Sequence, residues 1–319
     1  MKILIIRFSS IGDIVLTTPV IRCVKSQIKG VELHFLLKKE FFTVLKNNPY
    51  LDKIHTIESK VSEVANLLEK ENFDIVIDLH HNLRSLQVKK AIKTKHFSFN
   101  KLNYKKWLLV NFKVNKMPQV HIVDRYMETV KQLNVVNDGL GLDYFIKQED
   151  EVSIKSLPEK LHNGFISLVL GGTYFTKQIP LIKLEEICRK SKLPLVLLGG
   201  KSEHVIASHL TQRFGDKVFN ACGKYSLNQS ASLIKSSQKV FTSDTGLMHI
   251  AAAFKKDIIS LWGNTVPEFG MTPYLAGVDS KIIENKNLKC RPCSKLGYSK
   301  CPRDHFKCML DLVLENHLF

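Results

Sequence analysis

Lys239-Val240-Phe241-Thr242-Ser243-Asp244-Thr245-Gly246-Leu247-Met248-His249-Ile250-Ala251-Ala252-Ala253 is the stretch whose reading decides the fold. Its opening residues read as a short strand and its apolar second half as a helix, with a Ser-Asp-Thr-Gly turn between. A strand that feeds a helix through a tight turn is the repeating unit of a parallel α/β sheet. The turn also aims backbone N–H groups and the positive end of a helix at one point, which suits a phosphate. His249, one turn further on, is expected to face the same mouth. Helix capping by Asp244 or Thr245 is the competing reading of these residues.

A second junction of this kind lies at the N-terminus. Lys2-Ile3-Leu4-Ile5-Ile6-Arg7 reads as a strand and Ile14-Val15-Leu16-Thr17-Thr18-Pro19-Val20-Ile21 as a helix, joined by Phe8-Ser9-Ser10-Ile11-Gly12-Asp13. Ser9, Ser10, Gly12 and Asp13 therefore sit at the carboxyl end of a first strand, where open α/β sheets bind ligands. No Gly-x-Gly-x-x-Gly follows, so this is no dinucleotide fingerprint. For Asp13 an N-cap role stands beside the functional one.

Between and beyond these junctions, apolar β-like runs alternate with helix-like stretches. They are Lys2–Ile6, Glu32–Leu37, Ile75–Leu79, Phe165–Val169, Pro194–Leu198, Lys239–Thr242 and Ile258–Trp262. The fold class is thus α/β, with parallel sheets covered by helices. A length of 319 residues is enough for two domains with separate cores. The polar segment Lys147–Asn163 is the expected linker, which places the domains at 1–155 and 156–319. No apolar run reaches the roughly 20 residues that span a bilayer, and Arg7 and Asp13 interrupt any signal-peptide pattern. A cytoplasmic location is expected.

Taken together, the motifs resemble the bacterial heptosyltransferases, glycosyltransferase family nine. The resemblance is carried by Arg7–Asp13 and Ser243–Ala251, by Asp74-Ile75-Val76-Ile77-Asp78-Leu79-His80 with Arg84, and by Gly171-Gly172-Thr173 with Lys177 and Pro180. Leu197-Leu198-Gly199-Gly200 and Cys290-Arg291-Pro292-Cys293 complete it, so it spans nearly the whole chain. It departs at Ile179, where the family usually has tryptophan. The resemblance implies the GT-B arrangement, two Rossmann-like domains facing a central cleft, the first binding acceptor and the second the nucleotide-sugar. It implies an inverting, metal-independent transfer of heptose from ADP-heptose to a lipopolysaccharide inner-core acceptor. Asp13 then serves as general base, and Lys177, Asp244, Thr245, Gly246 and His249 hold the donor. Ser9, Ser10, Gly12, Arg84 and Arg125 are expected at the acceptor, the arginines as bidentate clamps for its carboxylates or phosphates. His80 and His81 are expected nearby. No cofactor beyond the ADP-sugar donor is required, and a monomer is expected. Transfer of another nucleotide-activated sugar to a surface glycan is the alternative within enzymes.

Charge raises a different class of partner. The net charge of +17 divides almost evenly, +8 in residues 1–150 and +9 in the remainder. Locally it is uneven, because no Asp or Glu occurs between Leu79 and Val123 while Lys105-Lys106 precede Trp107-Leu108-Leu109-Val110. A basic segment with an apolar tip suits an anionic lipid surface; a solvated basic face is the bland alternative. Contact with the inner face of the inner membrane is therefore expected. A nonenzymatic basic protein binding membrane or nucleic acid is the competing class, but no nucleic-acid-binding motif spacing occurs, and no nucleic-acid partner is expected. Cys23, Cys188 and Cys222 read as isolated buried thiols. Cys290, Cys293, Cys301 and Cys308 cluster as C-x2-C-x7-C-x6-C, which leaves a structural zinc, reduced free thiols or redox pairing open.

Overall fold

The computed structural model describes residues 1–319, the side chain of His317 excepted. The chain forms two compact units. The first comprises Met1–Leu102 and Val120–Phe145, the second Asn103–Gln119 and Ile146–Phe319.

In the first unit β1 (Lys2–Ile6), β2 (Glu32–Lys38), β3 (Lys53–Ile57), β4 (Ile75–Asp78) and β5 (Lys95–Ser98) form a sheet in the order β3-β2-β1-β4-β5. The second unit holds β6 (Ile166–Val169), β7 (Leu195–Leu198), β8 (Val218–Asn220), β9 (Lys239–Ser243), β10 (Asp257–Trp262) and β11 (Lys281–Glu284). Their order is β11-β10-β9-β6-β7-β8. Every pairing in both sheets is parallel. Parallel strands need crossover connections, whose helices cover both faces, so central strands must be apolar on both sides. Ile3, Leu4, Ile5 and Ile6 are all fully buried accordingly, each contributing roughly 1.5–3 kcal/mol relative to an exposed side chain.

In each sheet the first strand is central and the chain runs outward first to one side, then to the other. The order reverses between β1 and β4 in the first unit and between β6 and β9 in the second. Ligands of such sheets bind outside the carboxyl ends of the strands at the reversal. The loops found there are Arg7–Gly12 with Leu79–Asn82, and Gly171–Lys177 with Asp244–Thr245.

The units differ from the single break expected at 155/156. The first ends at Phe145, and residues 103–119 leave it to join the second. The reason is apolar. Helix Asn103–Phe112 buries Leu109 against Val266 and Phe269, with Val110 and Met117 packed alongside. Arg22 then fastens the returning chain to the first unit. Its guanidinium reaches Asp138 at 2.7 Å and also pairs with Asp143, and it donates to the carbonyl of Gly141 at 2.9 Å.

Arg22 is buried, so removing it strands two carboxylates. Arg22→Ala is expected to lower stability by roughly 3 kcal/mol. Hydrogen bonding from Arg22 holds the Asp138 carboxyl down at about 2. Its contribution is complete above the unfolded carboxylate pKa and is lost as pH falls from about 5 toward 2. Urea midpoints measured over that range should therefore fall more steeply in the unaltered protein than in Arg22→Ala; parallel acid limbs would contradict the assignment.

Candidate functional site

In the second unit Asp244 follows β9 directly. Its Oδ2 accepts a hydrogen bond from Lys177 Nζ at 2.6 Å and another from Thr265 Oγ1 at 2.9 Å. Lys177 ends a short 3-10 turn, Phe175–Lys177, in the loop after β6, and Thr265 lies just past β10. One carboxylate thus ties together the loops leaving three adjacent strands. Thr245 occupies the N-cap position of helix Gly246–Ala253, yet its side chain makes no capping bond to that helix. Its hydroxyl lies 3.1 Å from that of Thr242 instead. The capping reading of Asp244 and Thr245 is therefore not what the geometry shows. The N–H groups of the helix's first turn lack a side-chain cap, and they lie beside an ammonium group at the strand-order reversal. That combination favours an anion.

Arg291 supports this arrangement from below. It is buried and donates to the carbonyls of Gly263 at 2.5 Å, Asn285 at 2.6 Å and Thr265 at 2.9 Å, and pairs with Glu284 at 3.1 Å. The Lys177 turn is held in turn by Tyr298, whose N–H donates to Thr176 Oγ1 at 2.8 Å. At Gly263 a side chain is excluded, since a Cβ there would lie 2.7 Å from the carbonyl oxygen of Thr176. His249, in the first turn of that helix, is buried.

At the reversal in the first unit Asp13 is half-buried and doubly fixed. Its Oδ1 pairs with Arg7 Nη2 at 2.7 Å, and its Oδ2 accepts from Ser10 N at 3.2 Å and Ser10 Oγ at 2.9 Å. Ser10 is the N-cap and Asp13 the third residue of helix Ile11–Val15, so the N-cap reading of Asp13 is corrected by three positions. Arg7 also donates to the carbonyls of Ser9 at 2.8 Å and Leu79 at 2.7 Å, and to Tyr126 Oη at 3.0 Å. Gly12 is buried in the helix, while Ser10 is exposed.

Phe8 links the remaining groups. The Arg84 guanidinium lies 5.5 Å from the Phe8 ring centre, and His80 meets that ring edge-on at 5.2 Å. Burial, with the positive fields of Arg7 and Lys101, pushes the His80 imidazole down to about 3, so it is neutral at physiological pH. The turn that presents it is organised by Asp78. That buried carboxylate accepts from the N–H groups of His80 at 3.0 Å and His81 at 2.6 Å, and pairs with Lys89 at 2.9 Å. Arg125, expected as a clamp for carboxylates or phosphates, is largely buried, and burial lowers its proton affinity. The structure thus brings Ser10, Asp13, His80 and Arg84 to one strand end, and Lys177, Asp244, Thr245 and Gly246 to another.

The four late cysteines do not form a metal tetrahedron. Among the described residues, the group of three potential ligands whose ligating atoms lie within 4.8 Å of one another is His34, His55 and Glu71. Lys2 and Lys53 already hold the Glu71 carboxylate. Cys301 and Cys308 belong to the apolar core around Met309 and Phe306. The Cys293 thiol bonds the carbonyl of Cys290 at 3.2 Å. Burial pushes the thiols of Cys293 and Cys308 up to about 11 and about 12. Cys301 and Cys308 are thus packed among apolar side chains, while Cys290 and Cys293 are only partly buried.

Comparison with known proteins accords with this frame. The chain is 27% identical over 292 residues to lipopolysaccharide heptosyltransferase 1 of Campylobacter coli, covering 83% of this chain and 84% of the relative. It is 25% identical over 331 residues to lipooligosaccharide heptosyltransferase 2 of Campylobacter jejuni, covering 99% and 95%. The solved structure of Escherichia coli ADP-heptose lps heptosyltransferase II superposes over 98% of both chains with a TM-score of 0.73 at 18% identity, so the fold is of the GT-B type. The model of glycosyltransferase family 9 (heptosyltransferase) matches residues 61–300. With that match spanning most of its length, the chain belongs to glycosyltransferase family 9 and is a glycosyltransferase.

Proposed function

We propose that the protein transfers heptose from ADP-heptose to an inner-core acceptor of lipopolysaccharide, with inversion at the anomeric carbon. The observation that carries the donor half is the Asp244–Lys177–Thr265 junction beside a helix start that no side chain caps. A diphosphate placed there meets the backbone N–H groups at Thr245 and Gly246 and the ammonium of Lys177. Those groups neutralise the charge that grows on departing ADP, and they need no reorganisation to do so. Asp244 acts by aiming Lys177, and His249, one turn into the helix, helps to hold the donor. The relatives' names supply the sugar, the ADP carrier and the acceptor class.

The acceptor half rests on Asp13. An acceptor hydroxyl attacks the anomeric carbon from the face opposite ADP. The new C–O bond forms as the sugar–phosphate bond breaks, and the hydroxyl proton passes to the Asp13 carboxylate. Arg7 and Ser10 fix that carboxylate in one orientation, so its lone pairs are presented without a rotamer search. Ser9, Ser10 and Gly12 shape the backbone around it, and Arg84 meets the acceptor's phosphates or carboxylates. Arg125 contributes from within the unit as a buried positive charge. The first unit is thereby the acceptor-binding one and the second the nucleotide-sugar-binding one. No step needs a metal. The chain works as a monomer on the cytoplasmic face of the inner membrane, as a peripheral protein; among the described residues no helix is long and apolar enough to cross a membrane.

Two substitutions separate the halves. Asp13→Asn keeps the shape and removes the base, so kcat for ADP release should fall by roughly 10²–10⁴ while ADP affinity stays within about twofold. Near-normal turnover would remove Asp13 from the mechanism. Lys177→Ala removes a charge-assisted contact to phosphate, and calorimetric titration should show ADP binding weakened by roughly 10- to 100-fold. Unchanged affinity would place the diphosphate elsewhere.

A further inference from the structure

Two stretches far apart in sequence lack acidic residues altogether: 103–119, which carries four lysines, and 285–303, which carries four lysines and two arginines. The fold brings them together in the second unit. Lys113 Nζ donates to the carbonyls of Cys290 at 3.3 Å and Pro292 at 2.8 Å, and so fastens the end of helix Asn103–Phe112 to the later stretch. A cavity of about 720 Å³ opens at this junction. Its walls include Val110 and Lys113 from one stretch and Leu288, Lys289, Cys290 and Arg303 from the other, with His305 just beyond.

Beside it the helix presents an apolar tip. Tyr104, Trp107 and Phe112 are 70%, 48% and 60% exposed. They rest on one another, the Tyr104 and Trp107 rings stacked at 6.2 Å and Trp107 meeting Phe112 edge-on at 5.1 Å. Leu296 and Tyr298 are exposed on the later stretch as well. Such an aromatic cluster exposed to water lacks a partner that folding supplies.

We propose that these two stretches together form a docking surface for an anionic lipid bilayer, with Trp107 and Phe112 entering the headgroup region. This deepens the transferase reading and rests on it, since a glycolipid acceptor lies in such a surface. Charge complementarity selects the occupant: two basic stretches without carboxylates of their own are drawn to acidic headgroups, each nearby cation strengthening binding about fivefold. Aromatic rings with a polar edge settle at the depth where headgroups meet acyl chains. Single-stranded nucleic acid is less well served, because its bases stack on separated ring faces, whereas here the rings cover one another.

The chain carries two tryptophans, and Trp262 is 1% exposed, so a change in emission on docking reports Trp107. Vesicles containing phosphatidylglycerol should shift that emission to the blue and co-sediment the protein, less so as salt rises; pure phosphatidylcholine vesicles should do neither. Trp107→Ala with Phe112→Ala should abolish co-sedimentation, and Lys289→Ala with Arg303→Ala should weaken it on the order of 30-fold. No response to phosphatidylglycerol vesicles, or binding that both double variants retain, overturns the proposal. So does tight binding to a single-stranded oligonucleotide by a protein that ignores vesicles. Transfer to a delipidated acceptor in solution reads the enzyme separately. Intact transfer with no vesicle binding refutes the surface alone, and vesicle binding with no transfer refutes the transferase reading alone.

Discussion

The bond from Lys177 to Asp244 is the contact on which the second unit's site depends. An aspartate just before a helix would ordinarily satisfy that helix's N–H groups. Here the carboxylate turns away, to Lys177 and Thr265, and the N-cap threonine bonds Thr242 instead. The helix start is left without a side-chain cap, and the neighbouring cation is held in place by Asp244.

Around that contact the rest of the unit acts as a brace. Arg291 holds the loop carrying Thr265 through the carbonyls of Gly263 and Thr265, tying it to Asn285 past β11, and Gly263 admits the Lys177 turn because it has no side chain. The first unit repeats the logic with opposite signs. Arg7 reaches from the end of β1 to the second strand end at Leu79, to Tyr126 in the returning chain, and to Asp13. In one unit a carboxylate aims a cation; in the other a guanidinium aims a carboxylate. Preorganisation of this kind lets a site act on a transition state without first rearranging.

The sheets were legible in the sequence to a well-defined depth. All seven strands expected from apolar runs are present, and each is an interior strand. The four that escaped notice, β3, β5, β8 and β11, are the edges. An edge strand is not enclosed on both sides, so Lys53-Ile54-His55-Thr56-Ile57 and Lys95-His96-Phe97-Ser98 tolerate charge and lose the apolar signature. Lys177, Asp244 and Asp13 were legible because each lies in a motif at a strand end. Thr265, Arg291, Arg7 as a positioning group and Tyr126 were not, since each acts through a contact between distant parts of the chain. The passage of residues 103–119 into the second unit escaped for the same reason: composition marks a basic helix, but not the pocket at Val266 and Phe269 that receives Leu109. Of the late cysteines, spacing did not reveal that Cys301 and Cys308 join the apolar core while Cys290 and Cys293 stay partly exposed.

The central claim is that the second unit holds an ADP-sugar by its diphosphate. Thermal unfolding of the protein with ADP, UDP, GDP and CDP, each added alone, tests it most directly. A ligand at 100 times its dissociation constant stabilises the fold by about 2.7 kcal/mol, a shift readily seen. The account predicts stabilisation by ADP well above the other three. Stabilisation by a different nucleotide would contradict the ADP-heptose donor, and no stabilisation by any would contradict the diphosphate site itself.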